Sequence, residues 1–127
     1  MKLSPDCIRD ILIIMEEQPF KKQMDFDDLV PLLPSYSSDD IEYTCLKLKE
    51  AGLIRAITAS DFTGDTVVTL IDITYTGHQF LNDIRSDTVW SNVKEVSKKV
   101  GSQSVSAISQ IASGVITAII KAQLGLI

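Results

Sequence analysis

The side chains with the chemistry for catalysis or redox work are few and lie far apart in this sequence. His78 is the single histidine, and no Ser or Cys nucleophile signature accompanies it. We therefore expect a partly exposed structural residue rather than a general base. The two cysteines, Cys7 and Cys45, lack CxxC spacing. This predicts two buried thiols in a reducing compartment and no zinc site.

Two groups of acidic residues could suggest a carboxylate pair or a cation site. Asp39, Asp40 and Glu42 crowd the start of a predicted helix, where the helix dipole accounts for them. Asp61 and Asp65 lie in a predicted hairpin loop, but a calcium loop needs more oxygen ligands and a closing Glu. The sequence contains no Gly-rich phosphate loop, HExxH or GxSxG. It therefore predicts a protein that is not an enzyme and has no metal or cofactor.

Length, composition and charge limit the functions that remain. The chain has 127 residues, of which 45% are hydrophobic and 23% charged, as expected for one globular domain with a short appendage. Residues 1–90 contain 8 basic and 16 acidic side chains, whereas residues 91–127 contain 4 and 1. The net charge of −5 gives no general attraction to phosphate backbones. The first ten residues lack the apolar run of a secretory signal, so we expect a cytoplasmic protein.

The first third of the chain has the signals of two helices. Ser4-Pro5-Asp6 predicts an N-cap followed by a helical start, and Pro19 prevents continuation. A short extended piece is predicted over residues 21–26. A brief second helix follows over residues 27–33, with Leu29, Leu32 and Leu33 on one face.

The middle of the chain predicts a third helix and a β-hairpin. Ser37 and Asp40 stand at capping-box spacing, and Gly52 ends the helix that they begin. Residues 53–58 and 66–73 are β-prone and are separated by a turn signal. Three helices followed by a hairpin is the order of a winged helix-turn-helix. A fourth helix begins after Thr74 as its N-cap.

Residues 86–127 predict two more helices. On the fifth, Val89, Val93, Val96 and Val100 form a narrow apolar seam. The sixth contains twenty uncharged residues, 101–120, with aliphatic side chains on one half and a Ser/Gln stripe on the other. This pattern favours burial on protein over insertion in lipid, so no membrane association is expected.

The sequence thus predicts an α+β, mainly α fold with two parts. Residues 1–85 form a winged helix-turn-helix domain with a β-hairpin wing, and residues 86–127 form a C-terminal extension of two additional helices.

Four stretches carry residue combinations that are not generic winged-helix features. They are MKLSPDCIRDIL at the start, LKEAGLI after the third helix, TYTGHQFLNDIRSDTVW leading into the fifth, and the Ser-rich aliphatic end. These stretches resemble an uncharacterised winged-helix family that is common in bacterial genomes and their prophages. The resemblance extends over nearly the whole chain. It implies the fold and a phage or mobile-element context, and it brings no catalytic residue with it.

Two functions follow as hypotheses. The first is a non-enzymatic interaction or regulatory module whose surplus aliphatic surface forms a homodimer or docks on another protein. The residues expected to form this surface are Trp90, Val93, Val96, Ile108, Ile111, Val115 and Ile119. Equally, the two C-terminal helices could fold back and complete the core of the monomer.

The alternative is a transcriptional regulator that reads duplex DNA through the third helix. Tyr43, Lys47 and Lys49 are its candidate contacts. The acids at the start of this helix would repel phosphate, and this disfavours DNA as a partner.

Overall fold

A computed structural model describes residues 1–60 and 63–126. The chain forms a mostly helical α+β structure with one antiparallel sheet in these residues. Its elements are, in order, α1 (Pro5–Glu17), β1 (Met24–Asp25), α2 (Phe26–Leu29), a 3-10 turn (Val30–Leu32), α3 (Ser38–Glu50), β2 (Ile54–Ser60), β3 (Thr66–Ile73), α4 (Tyr75–Ile84), α5 (Asp87–Val100) and α6 (Val105–Gln123).

These elements belong to two compact units, Met1–His78 and Gln79–Ile127. The boundary between these units lies inside α4, and the predicted division into residues 1–85 and 86–127 stays a prediction.

The predicted helix starts are confirmed because each depends on a short local pattern. The Ser4 hydroxyl accepts a hydrogen bond from the Cys7 amide at 3.3 Å, and the Ser37 hydroxyl accepts one from the Asp40 amide at 3.1 Å. Thr74 Oγ1 likewise accepts from the Gly77 amide at 3.0 Å. Each bond satisfies a backbone donor that the first helical turn leaves without a partner.

The core of the first unit forms where α1 packs on α3 and on the sheet. The fully buried positions of α1 follow its helical period and include both Ile8 and Leu12. Ile41 and Leu48 are their buried counterparts on α3. Burying one such side chain stabilises the fold by about 1.5–3 kcal/mol.

The sheet has the strand order β1-β3-β2, so the longest strand lies at its centre. β1 pairs with β3 through Met24 opposite Leu70, and β2 pairs with β3 in a hairpin. The extended piece expected over residues 21–26 is therefore a two-residue edge strand.

The second helix differs from its prediction. It consists of one turn of α-helix followed by a 3-10 turn that contains Pro31. Leu29 and Leu33 are buried, but Leu32 is 54% exposed. Three residues per turn, rather than 3.6, rotate Leu32 away from the face that the α-helical spacing predicted.

The valine seam on α5 is also corrected. Val89 and Val93 are buried, but Val96 and Val100 are exposed. The buried stripe continues instead through Ser97, which is 2% exposed and donates a hydrogen bond to the Ser102 carbonyl at 2.6 Å. A straight α-helix brings positions four apart into line, so Val89, Val93 and Ser97 share one side of α5.

Candidate interaction surface

Helix α6 exposes several aliphatic side chains near its C-terminal end. Its first turn is capped by Ser104, whose hydroxyl accepts from the Ala107 amide at 3.1 Å. The helix has 19 residues and is therefore about 28 Å long. Lys121 is its single charged residue.

The aliphatic face of α6 is covered in its first half and open in its second. Ile108 and Ala112 are buried. Further along, Ile119 is 37% exposed, Ile120 52% and Leu124 66%. Within the described residues, the last two turns of this helix therefore stay exposed.

The seven residues predicted to form a partner surface divide into three groups. Trp90, Val93 and Ile108 are buried inside the chain. Ile111 and Val115 are half-buried, while Val96 and Ile119 are exposed. The buried three contribute to the packing of this chain, so only the other four are accessible to a partner.

Sequence reasoning left Ile120 and Leu124 out of this surface. Ile116, Ile120 and Leu124 are spaced four residues apart, which is the signal that could have included them.

The length and hydropathy of α6 also meet the criteria for a membrane-crossing helix. Its mean hydropathy is 1.5, and 11% of its most apolar window is buried. A single helix of this kind is weak evidence for a membrane span. That α6 packs on protein rather than in lipid stays a prediction.

The candidate nucleic-acid contacts lie on α3, whose first turn contains Asp39 and Asp40. The Lys47 ammonium bonds Glu50 at 2.9 Å and lies 5.3 Å from the centre of the Tyr43 ring. The hydrogen bond to Glu50 raises the pKa of Lys47. Lys49 is exposed in the last turn. This charge distribution places acids at the start of the helix and leaves Lys47 engaged with its own helix.

The residues considered for catalysis or metal binding differ in their exposure. His78 is exposed, whereas Cys7 and Cys45 are fully buried, as predicted. Burial raises the pKa of the Cys45 thiol to about 12, which disfavours the reactive thiolate. Within residues 1–60 and 63–126, no three His, Cys, Asp or Glu side chains group as metal ligands would. Of the loop acids, Asp65 is described, but Asp61 lies outside the described residues.

Comparison with known proteins identifies a family but no activity. Residues 2–104 match the family described as "Hypothetical protein (DUF2513)". An "Uncharacterized protein" of Haemophilus influenzae is 34% identical over 122 residues, which cover 92% of this chain and 97% of that protein. No solved structure matches the chain. The resemblance to an uncharacterised family is thus confirmed.

Proposed function

We propose that this chain, which belongs to the DUF2513 family, is a non-enzymatic winged-helix module that associates with a second copy of itself through the last turns of α6. One observation carries this proposal. Ile119, Ile120 and Leu124 expose aliphatic side chains on a helix whose first half is already packed. Exposed apolar surface of this kind is typical of interaction sites.

The winged-helix part of the proposal is supported by the order of elements in Met1–His78. Three helical segments precede the two-stranded hairpin of β2 and β3. The short strand β1, which lies between α1 and α2 in the sequence, extends this sheet by pairing with β3. A role in a prophage or mobile element is supported by sequence resemblance alone.

A second copy is the favoured partner because the exposed side chains of these turns are mostly aliphatic. Ile116, Ile119 and Ile120 bring no charge with them, so two identical helices can meet there without like-charge repulsion. A two-fold axis lets one surface serve both partners, and two-fold dimers are the commonest soluble oligomers. Lys121 is the single charge in these turns, so they offer little complementary charge to a strongly acidic or basic partner protein.

Sedimentation velocity of the purified chain and two variants tests this proposal. We expect the wild type to form a dimer and Ile120→Glu to raise the dimer dissociation constant at least tenfold, which is about 1.4 kcal/mol. Gln110→Glu is the matched control because it adds the same charge at an exposed position elsewhere on α6. A wild type that stays monomeric, or two variants that weaken the dimer equally, would contradict the proposal.

The alternative function is a DNA-binding regulator whose dimer presents two copies of α3 to a palindromic site. It is favoured by the succession of α2 and α3 across a tight turn. It is disfavoured by the acidic start of α3.

A further inference from the structure

A cleft of about 330 Å³ opens within the first unit, beside the C-terminal end of α1. Its walls are the end of α1, the segment over residues 18–22, the last residues of β3 and His78. This volume lies at the lower end of the range for small-molecule sites. The cleft includes no residue of the α6 surface that carries the proposed function.

The floor of the cleft is apolar and firmly packed. Met15, Met24 and Ile73 are each 7% exposed, and Leu70 is 1% exposed. Two of these four residues are methionines, whose polarisable sulfur makes favourable contacts with aromatic rings.

The rim of the cleft carries two lysines, which outnumber its acidic residues once Asp72 is paired with Arg55. Lys21, Lys22 and His78 line it together with Glu16 and Asp72. Asp72 is held by Arg55 through two hydrogen bonds, of 2.6 and 2.7 Å, so its charge is already compensated. The two lysines have no carboxylate partner among the described residues, and they give the cleft its attraction for an anion.

An exposed aromatic ring completes the site. Phe20 lines the cleft and is 86% exposed, with the Lys21 ammonium 5.6 Å from the centre of its ring. Lys21 has a backbone φ of +71°, a left-handed conformation that residues other than glycine rarely adopt. The segment holds this conformation through a turn in which the Lys22 amide donates to the Pro19 carbonyl at 3.0 Å. The exposed ring lies next to this turn, at the mouth of the cleft.

From these features we propose that the cleft binds a small aromatic carboxylate. The ring of the ligand would lie on the two methionines and against Phe20, where it removes apolar surface from water on both sides. Its carboxylate would accept hydrogen bonds from Lys21 and Lys22 at the rim. The site thus requires both an aromatic body and a negative charge.

NMR of the full chain with labelled methionine methyl groups tests the proposal, with indole-3-acetate as the probe. Met15 and Met24 line the cleft, and the 69% exposed Met1 does not, so Met1 serves as an internal control. We expect indole-3-acetate to shift the Met15 and Met24 signals saturably and to leave Met1 in place. The neutral indole-3-acetamide should bind at least tenfold more weakly.

A pair of double variants separates the rim charges from general electrostatics. Lys21→Gln/Lys22→Gln should weaken indole-3-acetate binding at least tenfold, whereas Lys47→Gln/Lys49→Gln, which removes two lysines outside the cleft, should leave it unchanged. The proposal is overturned if Met15 and Met24 do not shift at the solubility limit of the probe. It is equally overturned if the amide binds as tightly as the acid or if the two double variants behave alike.

Discussion

The phenol of Tyr36 connects the turn before α3 to the first helix. It donates a hydrogen bond of 2.8 Å to the Asp10 carboxylate. Burial, assisted by this bond and by the negative charge of Asp10, raises the pKa of Tyr36 above its usual value. We expect Tyr36→Phe to lower the free energy of unfolding at neutral pH by about 1–2 kcal/mol.

The raised pKa also fixes the direction of a pH effect. A folded-state pKa above the unfolded one means that the contribution of Tyr36 is complete below about pH 10 and is lost as the pH rises towards the folded-state value. Urea unfolding at neutral and alkaline pH should therefore show the difference between wild type and Tyr36→Phe shrinking with pH. Tyr75→Phe makes the same chemical change at a 78% exposed position and should have no such effect. A difference that is constant with pH would contradict the linkage.

Gly77 is required for a close approach between the start of α4 and Leu53, which lies between α3 and β2. A Cβ atom there would lie 2.0 Å from the Leu53 carbonyl oxygen and 2.6 Å from Ile73 Cγ2. The Leu53 carbonyl cannot move aside freely because it accepts the Thr74 amide at 3.0 Å. We expect Gly77→Ala to destabilise the fold by at least about 2 kcal/mol, measured as a lowered midpoint of urea unfolding.

Gly114 supplies the control for this substitution. It also lies in a helix, but a Cβ there would meet nothing within 4 Å. Gly114→Ala should stabilise α6 by about 0.5–1 kcal/mol through helix propensity alone. Equal effects of the two substitutions would show that the contact with Leu53 does not matter.

At the scale of elements, the parts that the sequence predicted best are those set by neighbours in the chain. Ser4, Ser37 and Thr74 cap their helices as expected because a cap involves residues only three apart. The valine seam of α5 was predicted less well. The side of α5 that is buried depends on tertiary packing. Spacings of four and three residues are compatible with two adjacent sides of the helix, so spacing alone does not identify the buried one.

The candidate surface was predictable to a similar extent. Helical spacing identified the aliphatic half of α6, and Ile119 is exposed on it. Spacing does not reveal how far along α6 its neighbours extend, and that is what divides the buried Ile108 from the exposed Ile120. The cleft beside α1 was not predicted, since it depends on Met24 and Leu70 meeting across strands distant in sequence.

The bond between Ser97 and Ser102 offers a test of how α5 is joined to α6. The Ser97 hydroxyl is buried and donates to the Ser102 carbonyl at 2.6 Å. Ser97→Ala removes the hydroxyl that donates to this carbonyl and should lower the free energy of unfolding by about 1–2 kcal/mol. Faster hydrogen exchange of the α6 amides, together with a lower urea midpoint, is the expected observation.

Ser91→Ala, at an exposed position of α5, is the control and should change stability by no more than about 0.5 kcal/mol. Unchanged exchange in Ser97→Ala would show that the bond does not hold the two helices.

For the molecule as a whole, the two parts of the sequence differ in their balance of charge. Residues 1–90 contain 16 acidic and 8 basic side chains. The exposed aliphatic residues Ile119, Ile120 and Leu124 all lie in the part with one acid. The proposed association through α6 would therefore join aliphatic side chains from the part of the sequence that has few acidic residues.

This distribution predicts that the protein does not bind duplex DNA. A dimer doubles the excess of acidic side chains, and the one lysine of α3 outside the Glu50 pair is Lys49. Each phosphate contact normally contributes through counterion release, and this dimer could make few such contacts. We expect no retention on immobilised duplex even at a salt concentration of about 50 mM, where nonspecific binding is strongest. Retention that falls steeply with salt, with a slope reduced by about one in Lys49→Gln, would contradict this expectation and favour the DNA-binding alternative. Retention that is the same in Lys49→Gln as in wild type would place the contact away from α3.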